Sequence, residues 1–282
     1  MHPIPIKSWQ PVAPTGRPQV VALRGSASHR GQWRTLVEAL SPQFDVSTPD
    51  LPGYGGQCSD ARKAAPALAD DAIELARIAQ DASAPIHIVA HSYSAAVAVR
   101  FALDQPQAVA SLTLIEPVLF HLLRSGRALD RAHDAEISRI ATAMNVAHRI
   151  GMASFGMSRF VDYWNGAGTW QTMKAPRRAA LASQISQVAR HFRTVFGETW
   201  SAAACRRIPC LTLIIAGQKS PGPVRRVAQI LFEAMPQARL RTIPGVGHMA
   251  PVTHPETVNR LIAQALAAEL SDSEPSNLRA AA

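Results

Sequence analysis

Short, continuous apolar runs recur along the chain. Four of them stand out, at residues 20–23, 86–90, 112–115 and 211–216. They do not alternate between apolar and polar positions, which is typical of strands buried on both faces of a sheet. A fifth strand is predicted at residues 239–243.

Segments with helical spacing lie between these strands. Apolar residues mark one face of a helix predicted over residues 67–80: Leu68, Ala72, Leu75 and Ala79. Further helices are predicted at residues 32–40, 93–103, 224–235 and 256–270. Thr253 and Glu256 have the spacing of a capping box at the start of the last helix. Because strands and helices alternate, we expect an α/β fold with a mostly parallel, doubly wound sheet.

The alternation is interrupted once, from residue 117 to about residue 205. Helices are predicted there at residues 128–150 and 176–196, separated by a Gly- and Trp-containing stretch at residues 151–170. A helical insertion of this size in an α/β chain is expected to form a cap over the sheet.

The predicted domains follow from that insertion. The α/β core comprises residues 1–116 and 206–282, and the helical cap comprises residues 117–205. Within the core, residues 1–18 are expected to form an N-terminal extension and residues 271–282 a frayed tail.

Composition narrows the possible partners. The chain has 29 Lys and Arg residues against 20 Asp and Glu residues, for a formal net charge of +9. The charges are scattered, with no basic run longer than two arginines, so we expect no nucleic-acid partner. The insertion carries eleven basic and five acidic residues. This excess indicates either a solvated surface or a cap that favours anionic substrates.

The cysteine content and the hydropathy of the chain indicate the cellular compartment in which we expect the protein. The three cysteines, Cys58, Cys205 and Cys210, form no CxxC motif and no metal-binding spacing, which fits a reducing compartment. Residues 1–18 lack the apolar segment of a signal peptide, and no apolar stretch is long enough to span a bilayer. We therefore expect a soluble, cytoplasmic protein with no membrane partner.

The segment Ala90-His91-Ser92-Tyr93-Ser94 carries the first candidate chemistry. A buried strand ends in a small-x-Ser-x-small pattern and a helix begins at once, which is typical of a nucleophile elbow. Ala90 and Ser94 are small enough for strand and helix backbones to pass closely. Ser92 is either a nucleophile at this turn or only the cap of the following helix.

The segment Gly245-Val246-Gly247-His248 carries the second candidate for catalytic chemistry. It is a Gly-rich loop after the predicted last strand. A histidine at the carboxyl edge of a parallel sheet can reach a nucleophile on a neighbouring strand. His248 is therefore a candidate general base, although most histidines in a chain have structural roles.

With these segments the chain resembles the α/β-hydrolase superfamily, from about residue 20 to residue 270. The segment Asp50-Leu51-Pro52-Gly53-Tyr54-Gly55 and the loop at residues 23–28 also match its pattern. The resemblance implies a Ser-acid-His triad, with the backbone N–H groups of Ser26 and Tyr93 forming the oxyanion hole. It also implies that no metal or organic cofactor is needed.

The position of the acid in the implied triad is less obvious from the sequence than those of Ser92 and His248. Many members carry an Asp shortly after the strand that corresponds to residues 211–216, but this chain reads Gly217-Gln218-Lys219-Ser220-Pro221 there. The superfamily has a second location for the acid, after the strand that follows the nucleophile helix, and Glu116 occupies it. Glu116 is thus the candidate acid. Alternatively, it pairs with Arg24, and Ser220 or a water molecule orients His248.

Substrate contacts are predicted at two places. Arg24 stands where members of the superfamily carry a histidine, so it is a candidate to bind a substrate carboxylate. Six cap residues are candidates for an apolar pocket wall: Phe120, Leu123, Phe155, Phe160, Trp164 and Trp170. Their helical spacing also fits ordinary core packing. Trp164 and Trp170 are favoured as pocket residues because they lie in the Gly-containing stretch.

Together these residues predict a serine hydrolase that cleaves a small carboxylic ester or a related acyl substrate. A C–C-bond hydrolase for an anionic substrate is one alternative, with Arg24 as the anchor. A catalytically silent protein that binds a small ligand is the other, because both elbow glycines and the late Asp are replaced and Arg24 stands in place of the histidine.

Overall fold

The fold is built on one parallel sheet, seen in a computed structural model that describes residues 16–54, 66–124 and 127–273. Its strands follow the order β2-β1-β3-β4-β5-β6, and every neighbouring pair is parallel. The strands are β1 (Gln19–Leu23), β2 (Asp45–Ser47), β3 (Ile86–His91), β4 (Val109–Ile115), β5 (Leu211–Gly217) and β6 (Ala238–Ile243).

Helices connect the strands and cover the sheet. Those of the α/β part are α1 (Arg34–Leu40), α2 (Leu68–Asp71), α3 (Ile73–Asp81), α4 (Tyr93–Asp104), α10 (Gly222–Ala234), α11 (Ala250–Thr253) and α12 (Pro255–Ser273). Those between β4 and β5 are α5 (Ala128–Arg149), α6 (Ala153–Asn165), α7 (Thr169–Thr172), α8 (Ala175–Ala182) and α9 (Ile185–Gly197). The α/β architecture with a helical insertion is therefore confirmed.

Two apolar layers explain why the central strands carry apolar side chains on both faces. Successive side chains of a strand point to opposite faces of the sheet. Val20 and Ala22 pack on the face that includes buried side chains of α1 and α12, whereas Val21 and Leu23 pack on the face that includes those of α4 and α10. Both faces are thus covered, and both must be apolar.

The strand β2 was not among the apolar runs. It has only three residues and lies at one edge of the sheet, and none of its residues is fully buried. An edge strand with this exposure has no continuous apolar run, so the pattern that marks the central strands does not mark it.

Two helix predictions need correction, and one stretch contains a helix that was not predicted. The helix predicted over residues 67–80 is two helices, α2 and α3, separated at Ala72. The helix predicted over residues 176–196 is also two, α8 and α9. The Ser183 hydroxyl donates a hydrogen bond to the Ala180 carbonyl at the break, an alternative to regular helix bonding. Most of the stretch at residues 151–170 is helical, because it contains α6.

The predicted capping box is absent from the start of α12. Thr253 ends the short helix α11, and its hydroxyl donates to the carbonyl of Met249 rather than capping the next helix. The chain enters α12 at Pro255 instead, a residue suited to the first helical turn.

Some predictions lie outside the described residues. Cys58, Gly55, most of the predicted extension at residues 1–18 and most of the tail at residues 271–282 fall there. The boundary of a cap domain at residues 117 and 205 stays a prediction. No helix in the described ranges is long and apolar enough to cross a membrane.

Candidate active site

Ser92 occupies the turn between β3 and α4. Its backbone has φ 59° and ψ −117°, a left-handed conformation that is strained for a residue other than glycine. Its N–H donates to the carbonyl of Ile115 at 2.8 Å, which fixes the turn against β4. The small residues Ala90 and Ser94 beside it are both fully buried, as close packing of strand and helix requires.

Gly25 allows the loop after β1 to reach this turn. A Cβ atom at Gly25 would lie 3.2 Å from the Cβ of Ser92 and 3.0 Å from the Nδ1 of His91. Contacts this short are tighter than nine in ten real Cβ contacts, so a larger residue would require the loop or the turn to shift by a few tenths of an ångström.

His248 reaches Ser92 from the loop that follows β6. Its Nε2 lies 3.0 Å from the Oγ of Ser92, and its side chain is buried. The loop is held to the end of β5, where the N–H of Lys219 donates to the carbonyl of Val246 at 2.8 Å. The imidazole is therefore fixed within hydrogen-bonding distance of the hydroxyl.

Glu116 contacts the other ring nitrogen. Its Oε2 lies 3.1 Å from the Nδ1 of His248, and its Oε1 accepts a hydrogen bond from the N–H of Gly217. The carboxyl is fully buried, and its residue has φ 53°. Because a carboxylate accepts the Nδ1 proton, the Nε2 of His248 is left to accept the Ser92 proton.

The structure does not show a pair between Arg24 and Glu116, nor a contact of Ser220 that orients His248. Arg24 pairs with Asp50 rather than with Glu116, and its Nε lies 2.9 Å from the Oδ1 of that residue. The buried Ser220 hydroxyl has no hydrogen-bond partner within the described part of the chain.

The two predicted oxyanion-hole residues flank Ser92. Tyr93 begins α4, so its N–H has no carbonyl one turn earlier in the helix to bind. Ser26 lies in the loop after β1, next to Ala27, which has φ 55°. Ser26, Ser92 and Tyr93 line the same cavity.

Backbone strain coincides with this site. In the described ranges, the non-glycine residues with positive φ are Ala27, Ser92 and Glu116. Each is one of the site residues or adjacent to one. Such conformations cost on the order of 1–3 kcal/mol each and concentrate at functional sites.

His91 supports the loop that carries His248. Its Nε2 lies 3.0 Å from the carbonyl oxygen of His248, and its Nδ1 lies 3.2 Å from the Nε2 of Gln32. Burial, with the nearby His248, lowers the pKa of His91 to about 3. His91 is thus neutral, and a single tautomer satisfies both contacts, with Nε2 donating and Nδ1 accepting.

The cavity above Ser92 is small and mostly apolar. It has a volume of about 20 Å³, room for about one water molecule. Its apolar lining is Val118, Phe120, Phe160, Trp164, Val188, Phe192 and Val195. The Trp164 ring stacks on the His248 ring, with 4.0 Å between centroids and 29° between planes.

The predicted pocket wall is placed only in part. Phe120, Phe160 and Trp164 line the cavity, whereas Trp170 does not. Leu123 is fully buried in the core and Phe155 is 53% exposed.

Arg24 does not line the cavity either. Besides its ion pair with Asp50, its guanidinium lies 4.0 Å from the centroid of the Tyr54 ring. The contact with a substrate carboxylate stays a prediction, and in this structure the buried Asp50 carboxylate binds the Arg24 guanidinium.

Sequence reasoning missed His191, which lines the cavity from α9. Its Nδ1 lies 2.7 Å from the Oγ of Ser26, and its Nε2 lies 2.9 Å from the Nε2 of Gln187. The only signal in the sequence was the spacing of four residues between Gln187 and His191, which puts them on one helix face.

The part of the chain that the structure describes contains no cluster of metal ligands. No group of three or more His, Cys, Asp or Glu side chains there is arranged to bind a metal ion. Cys205 is buried, and burial raises the pKa of its thiol to about 12.

Comparisons with known proteins agree with this architecture. A family model described as the alpha/beta hydrolase family matches residues 20–261. The chain therefore belongs to the α/β-hydrolase family.

Curated relatives carry several names. A putative carbamate hydrolase, RutD, from Klebsiella pneumoniae is 26% identical over 90% of this chain and 93% of its own. The lipase LipV from Mycobacterium tuberculosis is 30% identical, but the match covers 39% of this chain and 41% of that protein. A pimeloyl-[acyl-carrier protein] methyl ester esterase from Methylococcus capsulatus is 37% identical over 35% of this chain and 36% of its own length.

Solved structures show the same fold. MGS-M2, an α/β hydrolase from a deep-sea metagenome library, aligns with a TM-score of 0.72 at 18% identity, over 92% of each chain. A putative lipase from Acinetobacter baumannii aligns with a TM-score of 0.69 at 18% identity, over 93% of this chain and 87% of its own.

Proposed function

We propose that the protein is a serine hydrolase that cleaves a small carboxylic ester through an acyl-enzyme. One observation carries the proposal. A continuous chain of contacts runs from the Ser92 hydroxyl through both nitrogens of His248 to the buried Glu116 carboxylate. Such a chain activates a serine, because the histidine removes the serine proton while the carboxylate stabilises the resulting imidazolium.

The proposed reaction has two halves. Ser92 attacks the acyl carbon while His248 takes its proton, and the N–H groups of Ser26 and Tyr93 donate to the developing oxyanion. His248 then protonates the leaving alcohol, and a water molecule activated by His248 hydrolyses the acyl-enzyme. Each oxyanion donor is worth roughly 2.7–4 kcal/mol of transition-state stabilisation.

The lining of the cavity supports a substrate with a small, uncharged acyl group. Apart from Ser26, Ser92, Tyr93 and His191, the side chains that line it are all hydrocarbon or indole. A carboxylate placed among them would lose its hydration without a cation to pair with. The names of the relatives as lipase, ester esterase and carbamate hydrolase also favour acyl transfer to water.

We further propose that the inserted helices act as the cap that sets specificity. Phe160 and Trp164 on α6 and Phe192 on α9 are cavity residues, so the insertion supplies much of the acyl pocket. The small volume of that cavity means that these side chains must move apart when an ester binds.

Turnover of p-nitrophenyl esters tests the proposal. The wild-type protein is expected to hydrolyse the acetate ester with saturation kinetics, and Ser92→Ala to lose at least about 10³-fold in kcat. Ser183→Ala is the matched control, because that hydroxyl donates only to the carbonyl of Ala180 on the exposed surface of α8. Equal rates for wild type and Ser92→Ala would refute the proposal.

A further inference from the structure

His191 and Gln187 form a hydrogen-bond relay that ends at Ser26. The Nε2 of Gln187 lies 2.9 Å from the carbonyl oxygen of Pro52 and 2.9 Å from the Nε2 of His191. The Nδ1 of His191 lies 2.7 Å from the Oγ of Ser26. The relay thus connects the segment before Tyr54 to the loop that follows β1.

The direction of each hydrogen bond follows from the first one. A carbonyl oxygen only accepts, so the group of Gln187 that faces Pro52 is the NH₂ group. That NH₂ group donates its second hydrogen to the Nε2 of His191. The Nδ1 of His191 therefore carries the ring proton and donates it to the Oγ of Ser26.

This assignment requires a neutral imidazole. Burial, together with the charges of Arg190 and Arg24, lowers the pKa of His191 well below its ordinary value. A neutral ring has one donor and one acceptor nitrogen, as the relay requires.

The ring is also held in a fixed plane. It stacks on the Tyr93 ring, with 3.6 Å between centroids and 7° between planes. The Tyr93 hydroxyl in turn donates to the Asp71 carboxylate, which is paired with Arg190 at 2.8 and 2.5 Å. A buried ion pair therefore sets the position of the relay beside the cavity.

Gly53 makes room for the relay. A Cβ atom at Gly53 would lie 2.4 Å from the Oε1 of Gln187, and its φ of 89° is one that glycine adopts readily. The Pro-Gly pair at residues 52–53 thus lets the Gln187 amide rest on the backbone.

We propose that the relay turns the Ser26 hydroxyl into a third oxyanion donor, so that Ser26 contributes its side chain as well as its backbone. Because the hydroxyl accepts from His191, its own hydrogen is directed away from that bond and into the cavity shared with Ser92. His191 and Gln187 are then positioning residues that act through Ser26. The inference rests on the proposed acyl transfer at Ser92.

The first test removes and restores the hydroxyl. Ser26→Ala is expected to lower kcat for p-nitrophenyl acetate on the order of 100-fold with little change in KM. Ser26→Thr keeps a hydroxyl and should retain most of the activity. Affinity for a boronic acid that mimics the tetrahedral intermediate should fall in Ser26→Ala by a similar factor. A Ser26→Ala enzyme within twofold of wild type in kcat would overturn the inference.

The second test separates hydrogen bonding from ring stacking. His191→Phe keeps a ring against Tyr93 but has no donor, whereas His191→Asn keeps an N–H near the Nδ1 position but has no ring. The relay predicts that the Phe variant loses kcat on the order of 10-fold or more and that the Asn variant retains more of it. It also predicts that His191→Phe has little further effect in a Ser26→Ala background. The opposite order, with Phe active and Asn impaired, would overturn the relay.

A labelling control keeps this inference apart from the proposed function. If wild type reacts with a fluorophosphonate at Ser92 and hydrolyses the ester, a failure of the Ser26 and His191 variants to respond counts against the relay alone. If wild type neither reacts nor turns over, the proposed serine hydrolase itself fails, and the relay fails with it.

Discussion

The Glu116 carboxylate lies 3.1 Å from the Nδ1 of His248, although the two residues are 132 positions apart in the chain. They meet because β4 ends at Ile115 and β6 ends at Ile243, and the carboxyl ends of parallel strands lie at one edge of the sheet. The proposed acid, Glu116, thus follows the strand next to the one that precedes Ser92. The usual later position, after β5, has no carboxylate, and Gly217 at the end of β5 donates its N–H to the Glu116 carboxylate.

Replacing Glu116 by Gln tests its role. Gln places an NH₂ group against the Nδ1 of His248 when its carbonyl keeps the bond from Gly217. That NH₂ group favours the tautomer in which Nε2 carries the proton and cannot accept one from Ser92. We expect kcat for p-nitrophenyl acetate to fall by on the order of 10³–10⁴. Glu74→Gln, which alters an ion pair with Arg77 within α3, is the control. A loss below tenfold would mean that another group orients His248.

Trp164 is predicted to limit the length of the acyl chain. Its ring stacks on His248 and fills the cavity beside Ser92. Trp164→Ala should therefore raise kcat/KM for octanoate esters relative to acetate esters by at least about tenfold. Trp170→Ala, which removes an indole outside the cavity, is the matched control. An unchanged chain-length profile would show that the acyl group lies elsewhere.

Arg24 is predicted to stabilise the fold without selecting the substrate's charge. Its ion pair with Asp50 is buried, with side-chain exposures of 7% and 9%. Arg24→Ala should lower the free energy of unfolding by about 3–5 kcal/mol, because it removes the buried guanidinium that binds the Asp50 carboxylate. Its kcat/KM values for a neutral and an anionic ester should change by the same factor. Arg17→Ala removes the exposed pair with Asp45 and should cost less than about 1 kcal/mol. A selective rise in KM for the anionic ester would restore the substrate-binding role.

Buried histidines are predicted to make the fold sensitive to acid. Burial lowers the pKa of His87 to about 4, and burial with the Arg124 charge lowers that of His121 to about 4. The unfolded chain binds protons below the ordinary pKa of 6.5, whereas the folded chain does not until about pH 4. The free energy of unfolding should therefore be unaffected by these groups above pH 6.5 and fall as the pH drops towards 4.

Urea unfolding at pH 7 and pH 5 measures this effect. Each such histidine should lower the free energy of unfolding at pH 5 by about 2 kcal/mol. His87→Gln, at the start of β3 and away from Ser92, should remove one histidine's share of the difference. Equal free energies at the two pH values would contradict the burial of these rings as neutral groups.

Much of the fold follows from the sequence because the central strands are buried on both faces. Each becomes a continuous apolar run, and the helices between them keep one apolar face. The edge strand β2 escapes the same pattern because its side chains are partly exposed. The breaks at Ala72 and Ser183 escape it as well, since both sides of each break keep helical spacing.

The site residues likewise divide into those that the sequence predicts and those that it misplaces or misses. Ser92, His248 and Glu116 follow strands, so the end of each strand indicates where they gather. Arg24 and Trp170 were assigned to the pocket on local sequence alone. That sequence does not show that Asp50 binds the Arg24 side chain, nor that Asp162 accepts a hydrogen bond from the backbone N–H of Trp170. His191 was missed because nothing in an amphipathic helix distinguishes a ring that faces a cavity from one that faces the core.

Intact-mass analysis after reaction with a fluorophosphonate shows whether Ser92 is an activated nucleophile. Wild type, Ser92→Ala and the control Ser183→Ala are incubated with the reagent under the same conditions, and peptide mapping locates any adduct. We expect one adduct per molecule on Ser92 in wild type and in Ser183→Ala, and none in Ser92→Ala. An unmodified wild type, or an adduct that persists in Ser92→Ala, would contradict an activated serine at this position.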